Sequence, residues 1–165
     1  MKFKIAGFCI ALLLLLSGTA FAQWQLQYQI QLGYSFNAVN FPTATVGYIV
    51  GSGGAIYKTI DGGGSWVQQV SPTANALNDV WFTDALTGWA VGASGTIIYT
   101  TDGTNWTLLA PAITTLTMNG VAANGTNVWV GGGADNAKCA LYYSTDSGAT
   151  WDTVAVANNP SNDQC

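Results

Sequence analysis

Residues 88–106 read Gly88-Trp-Ala-Val-Gly-Ala-Ser-Gly-Thr-Ile-Ile-Tyr-Thr-Thr-Asp-Gly-Thr-Asn-Trp106. Two runs of β-branched and aromatic residues flank a glycine-punctuated bend, and an Asp-Gly pair precedes a tryptophan. The same module occurs on either side. Gly47-Tyr-Ile-Val-Gly51 and Gly54-Ala-Ile-Tyr57 lead to Thr59-Ile-Asp-Gly-Gly-Gly-Ser-Trp66. Asn127-Val-Trp-Val-Gly131 and Cys139-Ala-Leu-Tyr142 lead to Ser144-Thr-Asp-Ser-Gly-Ala-Thr-Trp151. A further run opens each copy: Phe36-Asn-Ala-Val-Asn-Phe41, Leu77-Asn-Asp-Val-Trp-Phe82 and Met118-Asn-Gly-Val121. The step from Asp61 to Asp102 is 41 residues and that from Asp102 to Asp146 is 44. Self-similarity at such a period marks units that bury a core only by stacking on their neighbours, and this period matches one four-stranded propeller blade.

Within a copy, four to seven residues alternate or are β-branched between Gly, Asn and Asp, the pattern of short strands. For the middle copy it predicts strands at about 77–82, 88–92, 96–101 and 106–110. No stretch after the first 22 residues carries a 3.6-residue apolar stripe. The expected fold class is all-β: a partial β-propeller of three four-stranded blades, at about 36–70, 77–110 and 116–156, in a region spanning 23–165.

The Asp motif has a physical role in such a blade. A turn joining the last two strands leaves backbone N–H groups without ladder partners. An Asp at its start accepts from N–H groups one to three residues on, and Gly supplies the positive φ of the bend. Asp61 with Gly62 to Gly64 (Gly63 among them), Asp102 with Gly103, and Asp146 with Gly148 fit this role. Thr59, Thr100 and Ser144 stand two residues before each Asp and add a hydroxyl bond; Ser65 and Thr150 precede the closing Trp in the outer copies. Trp66, Trp106 and Trp151 then open the outer strand, each covering a junction between blades, so that truncation to Ala is expected to cost about 3–5 kcal/mol. Calcium coordination competes weakly for these aspartates. An EF-hand loop needs several alternating oxygen ligands and a terminal bidentate acid, whereas each copy offers a single carboxylate.

The chain begins with Lys2 and Lys4, an apolar run from Ile5 to Leu16, and Ala20 and Ala22 ahead of Gln23. A basic start, a short apolar core and an Ala-x-Ala site predict a signal peptide over 1–22, export to the periplasm, cell surface or medium, and no membrane span after its removal. The whole chain has a formal charge of −4. Beyond the leader only Lys58 and Lys138 are cationic, which excludes a phosphate-neutralising surface and so a nucleic-acid partner, and disfavours anionic membranes. Cys139 and Cys165 survive processing; they either pair or stay free, and nothing in the sequence fixes which. Asn105-Trp-Thr107 and Asn124-Gly-Thr126 are formal glycosylation sequons.

The pattern Thr/Ser-x-Asp-x-Gly-x-Ser/Thr-Trp resembles the bacterial neuraminidase repeat, or Asp-box, which sits on β-propellers of differing function. With Gly88-Trp-Ala-Val-Gly-Ala-Ser-Gly-Thr-Ile97 and Thr101-Asp-Gly103, the chain most resembles the photosystem II stability and assembly factor-like group, over roughly 36–156. The second copy is one residue shorter between Asp102 and Trp106, and the third has Ser147 where a second Gly is usual. The resemblance implies a propeller that binds a client protein. Photosynthetic members of the group are thought to offer an arginine-lined patch to that client. This chain has no Arg, so a photosynthetic role does not carry over.

Residue absences limit the chemistry further. A sialidase needs an arginine clamp on the sugar carboxylate and a Tyr activated by Glu; Arg and Glu are both missing. His is missing too, removing Ser/His triads, Cys/His dyads and imidazole metal sites. Asp79 and Asp84 are the neighbouring acids outside the turn motifs, conceivable as a glycosidase pair but more simply solvated loop groups. No catalytic, cofactor or metal site is expected. What remains is an aromatic surface. Tyr48, Trp89 and Trp129 occupy equivalent positions and read as core. Trp81 breaks the repeat, standing where the flanking copies have Asn40 and Ala122, and is the candidate contact for a protein partner or a glycan. The expected function is an exported, non-catalytic interaction or assembly scaffold with an unidentified protein partner. A carbohydrate-binding or glycoside hydrolase-associated module is the alternative.

Gln23-Trp-Gln-Leu-Gln-Tyr-Gln-Ile30 resembles an outer strand without a blade of its own. Closed propellers have four to eight blades and often join terminal strands into one blade. Three copies and an orphan strand therefore suggest a piece of a longer protein.

Overall fold

The computed structural model describes residues 33–135 and 138–154. Both sequence-predicted N-terminal features, the leader over 1–22 and the strand over 23–30, lie outside these residues, as does Cys165. The side chain of Cys139 is likewise outside the description, and with it the question of a disulfide.

Alternation of small or β-branched residues with glycine stops folds each copy into an antiparallel meander. The first blade comprises β1 (Phe36–Asn40), β2 (Gly47–Gly51), β3 (Ile56–Thr59) and β4 (Val67–Gln68). The second comprises β5 (Leu77–Phe82), β6 (Gly88–Gly92), β7 (Ile97–Thr100) and β8 (Thr107–Leu108). The third comprises β9 (Met118–Asn124), β10 (Asn127–Asp135), β11 (Lys138–Ser144) and β12 (Asp152–Thr153). Each sheet pairs its strands in chain order. The first strands β1, β5 and β9 lie beside one another, and β2 also touches β5 as β6 touches β9. The sheets thus fan out from their innermost strands as a partial propeller. Among the described residues no helix is long and apolar enough to cross a membrane.

Two cores fill the gaps between sheets. Tyr48, Val50 and Ile56 of the first blade meet Leu77, Val80, Phe82, Ala90, Ile98 and Trp106 of the second. Trp89, Val91 and Ile97 of the second meet Met118, Val121, Ala123, Val128 and Val130 of the third. The aromatic content of the first junction is ordered: the Tyr48 and Phe82 rings stack at 3.7 Å and 10°, and Trp106 stands edge-on to both.

The glycines that frame the second strand have steric causes. A Cβ on Gly51, Gly92 or Gly132 would strike the carbonyl oxygen of Ser35, Ala76 or Thr117. Ser52, Ala93 and Gly133 each donate their N–H to that same oxygen, at 2.7–2.9 Å. Gly132, one residue beyond the Gly131 of the sequence alignment, thus holds the position of Gly51 and Gly92. Each sheet carries the same bulge beside this glycine, skipping Asn37, Asn78 or Asn119 on its first strand. At the other end of the strand, Gly47 and Gly88 leave room for the rings of Phe41 and Phe82. The third blade inverts the sizes, pairing Val128 with Ala123.

Candidate interaction site

The site is built on the turns that fix the blades. In the first blade Thr59 Oγ1 donates to Asp61 Oδ1 at 2.7 Å and accepts the N–H of Gly63 at 3.0 Å. Ser65 gives Asp61 both its N–H, at 2.9 Å, and its hydroxyl, at 2.6 Å. The third blade repeats this set with Ser144, Asp146, Gly148 and Thr150. The second turn is shorter: Gly103 N–H reaches Thr100 Oγ1, while Thr104 and Asn105 give their N–H groups to Asp102 and the Asn105 side chain adds another bond. In the longer turns the carboxylate therefore reaches four residues on, one further than the sequence spacing suggested. Ser147, in the place of the second glycine, adopts φ 61°. Thr59, Thr100 and Ser144 are buried, so each hydroxyl serves the turn and nothing else.

Hydrogen bonds accepted by the ionised carboxylates hold them acidic. The Ser65 hydroxyl, then its N–H and the Thr59 hydroxyl, lower Asp61 from 3.8 to about 2. The Thr150 hydroxyl and N–H with the Ser144 hydroxyl lower Asp146 to about 2 as well. The Asn105 side chain, then backbone donors, lower Asp102. Among the described residues no group of three His, Cys, Asp or Glu side chains converges as for a metal ion.

These turns also meet the neighbouring blade. Tyr48 Oη donates to Ala85 O at 2.8 Å and lies 3.2 Å from Gly103 O, which also accepts from Lys58 Nζ at 2.9 Å. Burial, then the charges of Asp102 and Asp84, push the Tyr48 hydroxyl up to about 12. Trp106 is 8% exposed at this junction. Trp151 is half-buried against the second core, with Nε1 donating to Gly148 O at 2.9 Å. Trp66 is also half-buried, against the edge of Phe41, with no described sheet on its far side.

Trp81 sits near the end of β5, 40% exposed, opposite Trp89 in register. Its Nε1 donates to Ala123 O of the third blade at 2.9 Å. Asn40, the equivalent residue, accepts from Phe82 N at 3.2 Å across the first junction. Trp81 is thus both a strut between blades and a ring with one open face. Trp129, read as core, is 38% exposed: no described sheet follows the third blade to cover it as Phe82 covers Tyr48. The two neighbouring acids, Asp79 and Asp84, have separate partners. Asp79 accepts from Val80 N and, across the junction, from Val121 N at 2.8 Å. Asp84 accepts from Leu86 N and Thr87 N, which lower its pKa.

Asn37 and Asn78 escaped notice as functional groups. Their side chains donate to Leu77 O and Met118 O, at 2.8 and 2.9 Å, joining successive innermost strands. The signal was present, since Asn follows the first residue of that strand in all three copies.

The family described as Photosynthesis system II assembly factor YCF48 matches residues 65–162. Among solved structures, a YCF48 bound to a D1 peptide superposes with a TM-score of 0.64 at 26% identity, covering 76% of this chain and 42% of that one. YCF48 from Cyanidioschyzon merolae gives a TM-score of 0.61 at 21% identity, covering 76% of this chain and 38% of that one, a likeness of fold. The chain therefore spans about two fifths of the length of these solved relatives. No curated protein matches it.

Proposed function

This chain belongs to the Photosynthesis system II assembly factor YCF48 family, and from that premise we propose that it is an exported, non-catalytic propeller module that binds an extended segment of a client protein. The observation that carries this is the likeness, over 76% of the chain, to a family structure holding a peptide. The absence of Arg separates the chain from an arginine-lined client site. Recognition here rests on aromatic faces and amides, with Trp81 as the central contact: its indole N–H is already anchored, so the ring is held open at little entropic cost. The lack of Glu leaves aspartates as the side-chain carboxylates, and seven of them lie within the described residues. Asp61, Asp79, Asp84, Asp102 and Asp146 are committed to hydrogen bonds within the fold.

An array of extended peptides, probed with the full chain and with Trp81→Ala, tests this function. The expected result is a restricted set of bound peptides whose signal falls in the variant. Binding to a glycan array with silence on peptides would instead establish the carbohydrate-binding alternative. Release of the N-terminal leader up to Gln23 on secretion, seen by mass spectrometry, tests export.

A further inference from the structure

Alone among the three innermost strands, β5 carries an acid and an aromatic ring on one face. Asp79 and Trp81 stand where the first blade has Ala38 and Asn40 and the third has Gly120 and Ala122. Alternate residues of a strand share a face, and both side chains cross to β9: Asp79 Oδ2 accepts from Val121 N at 2.8 Å, and Trp81 Nε1 donates to Ala123 O at 2.9 Å. The sheets on both sides of this blade are described, so the 40% exposure of Trp81 belongs to the middle of the fan and not to its ends. With its one polar atom engaged, the indole offers only its π face, which attracts cations and apolar groups alike.

The surrounding charge decides between them. Asp84 follows in the hairpin after β5, exposed, and bonds from Leu86 N and Thr87 N hold its carboxylate below the usual range. Phe82, Gly88 and Thr100 lie in register, so this hairpin and the Asp102 turn leave the second sheet at one end. Gly47 opposite Thr59, and Val128 opposite Ser144, put the Asp61 and Asp146 turns at the same end of their sheets. These three turn carboxylates are exposed as well. Lys58, the cation at this end among the described residues, is turned into the first junction, bonded to Gly103 O and 5.5 Å over the Tyr48 ring. Lys138 lies in register with Asp135 at the opposite end. The ring of Trp81 therefore meets solvent in a field of one sign.

We propose that the open face of Trp81, with Asp79 before it and Asp84 beyond it on the chain, receives a lysine or arginine side chain of the client segment, an assignment that rests on the peptide-binding function proposed above. The cation lies over the indole within about 6 Å of the ring centre. Its N–H groups turn to the flanking carboxylates. A carboxylate offers about four acceptor positions; Asp79 takes Val80 N and Val121 N, and Asp84 takes Leu86 N and Thr87 N on one oxygen, so each keeps room for a further donor. The fold makes such a contact internally, where the Lys58 ammonium joins the Tyr48 ring to a carbonyl. An apolar side chain would cover the same ring but leave the carboxylates beside it partly dehydrated and unpaired.

An array in which each short extended sequence is printed with Lys, Arg, Met or Glu at its centre, probed with the full chain, tests the proposal. Among the sequences bound, the Lys and Arg versions should hold about tenfold more tightly than the Met versions, and the Glu versions should be silent. That advantage should shrink as salt rises from about 0.05 to 0.5 M. Trp81→Leu, which keeps apolar bulk without a π face, and Asp84→Asn should each cut the advantage at least about threefold, whereas Trp81→Phe should keep most of it. Binding that ignores the central charge, or favours Met or Glu, overturns the assignment and leaves peptide binding in place. A cation preference that survives both Trp81→Leu and Asp84→Asn also overturns it, because the cation then docks elsewhere. Silence toward every peptide overturns the peptide-binding function and this assignment with it. Trp81 ties β5 to β9, so far-UV circular dichroism checks that its variants fold. Should Trp81→Leu unfold, Asp84→Asn and the salt series decide, and an unchanged preference in both counts against the site.

Discussion

Each turn aspartate stabilises its hairpin as an anion that accepts several hydrogen bonds, so its contribution depends on pH in a definite direction. For Asp61 and Asp146 the folded-state pKa is about 2 against an ordinary 3.8. Between those values the unfolded chain binds more protons than the folded one, and stability therefore rises with pH. The contribution is complete above pH 3.8 and is lost as the pH falls through about 2. A thermal melt series between pH 5 and pH 2 should show the wild-type midpoint falling, and Asp61→Asn with Asp146→Asn should flatten that fall. Tryptophans at equivalent positions do not weigh equally. Trp106 closes a junction against Tyr48 and Phe82, and Trp106→Ala should cost about 3–5 kcal/mol. Trp66 packs on the edge of Phe41 with no second described sheet over it, and Trp66→Ala should cost about 1 kcal/mol in urea unfolding. The uniform cost that the repeat implies fails because a residue's burial depends on which blades flank its own.

The strands themselves were legible because each is bounded by residues with a steric task. Gly92 admits the carbonyl of Ala76, and Gly92→Ala should cost about 1–3 kcal/mol through the backbone shift it forces. Compensating sizes at the start of the second strand are harder to see. Gly88 faces Phe82, whereas Val128 faces Ala123, so volume is kept while both residues change. Ala123→Phe alone should destabilise the third blade by about 1–3 kcal/mol, and adding Val128→Gly should recover part of that loss in a double-mutant cycle on urea unfolding. What the repeat left open was which glycine makes the close approach in the third blade, because Gly131, Gly132 and Gly133 all satisfy the pattern; the contact with the Thr117 carbonyl selects Gly132. Trp129 misled for a related reason. Its repeat position is a core position, yet only a following sheet makes it one. Trp81 stands out in the sequence as a break in the repeat, but its bond to Ala123 O depends on the next blade and is invisible in a single copy.

In a fan of blades, every sheet is stabilised by itself and by the neighbours it touches, as in other repeat folds. Among the described residues the second blade has two such neighbours and contributes to both cores, while the first and third each face one. Opening the second blade therefore means breaking two junctions, including the bonds from Asn37, Asn40 and Tyr48 on one side and from Asn78, Asp79 and Trp81 on the other. Opening an end blade breaks one. Native-state hydrogen exchange should grade accordingly, slowest for the ladder amides of β5 to β7 and faster for their counterparts in β1 to β3 and β9 to β11. The two-residue strands β4, β8 and β12 should exchange fastest in every blade, since each is exposed and bonded along one edge. Uniform protection across the three blades would mean that the sheets unfold as one unit, and nearest-neighbour stacking would then not describe this molecule.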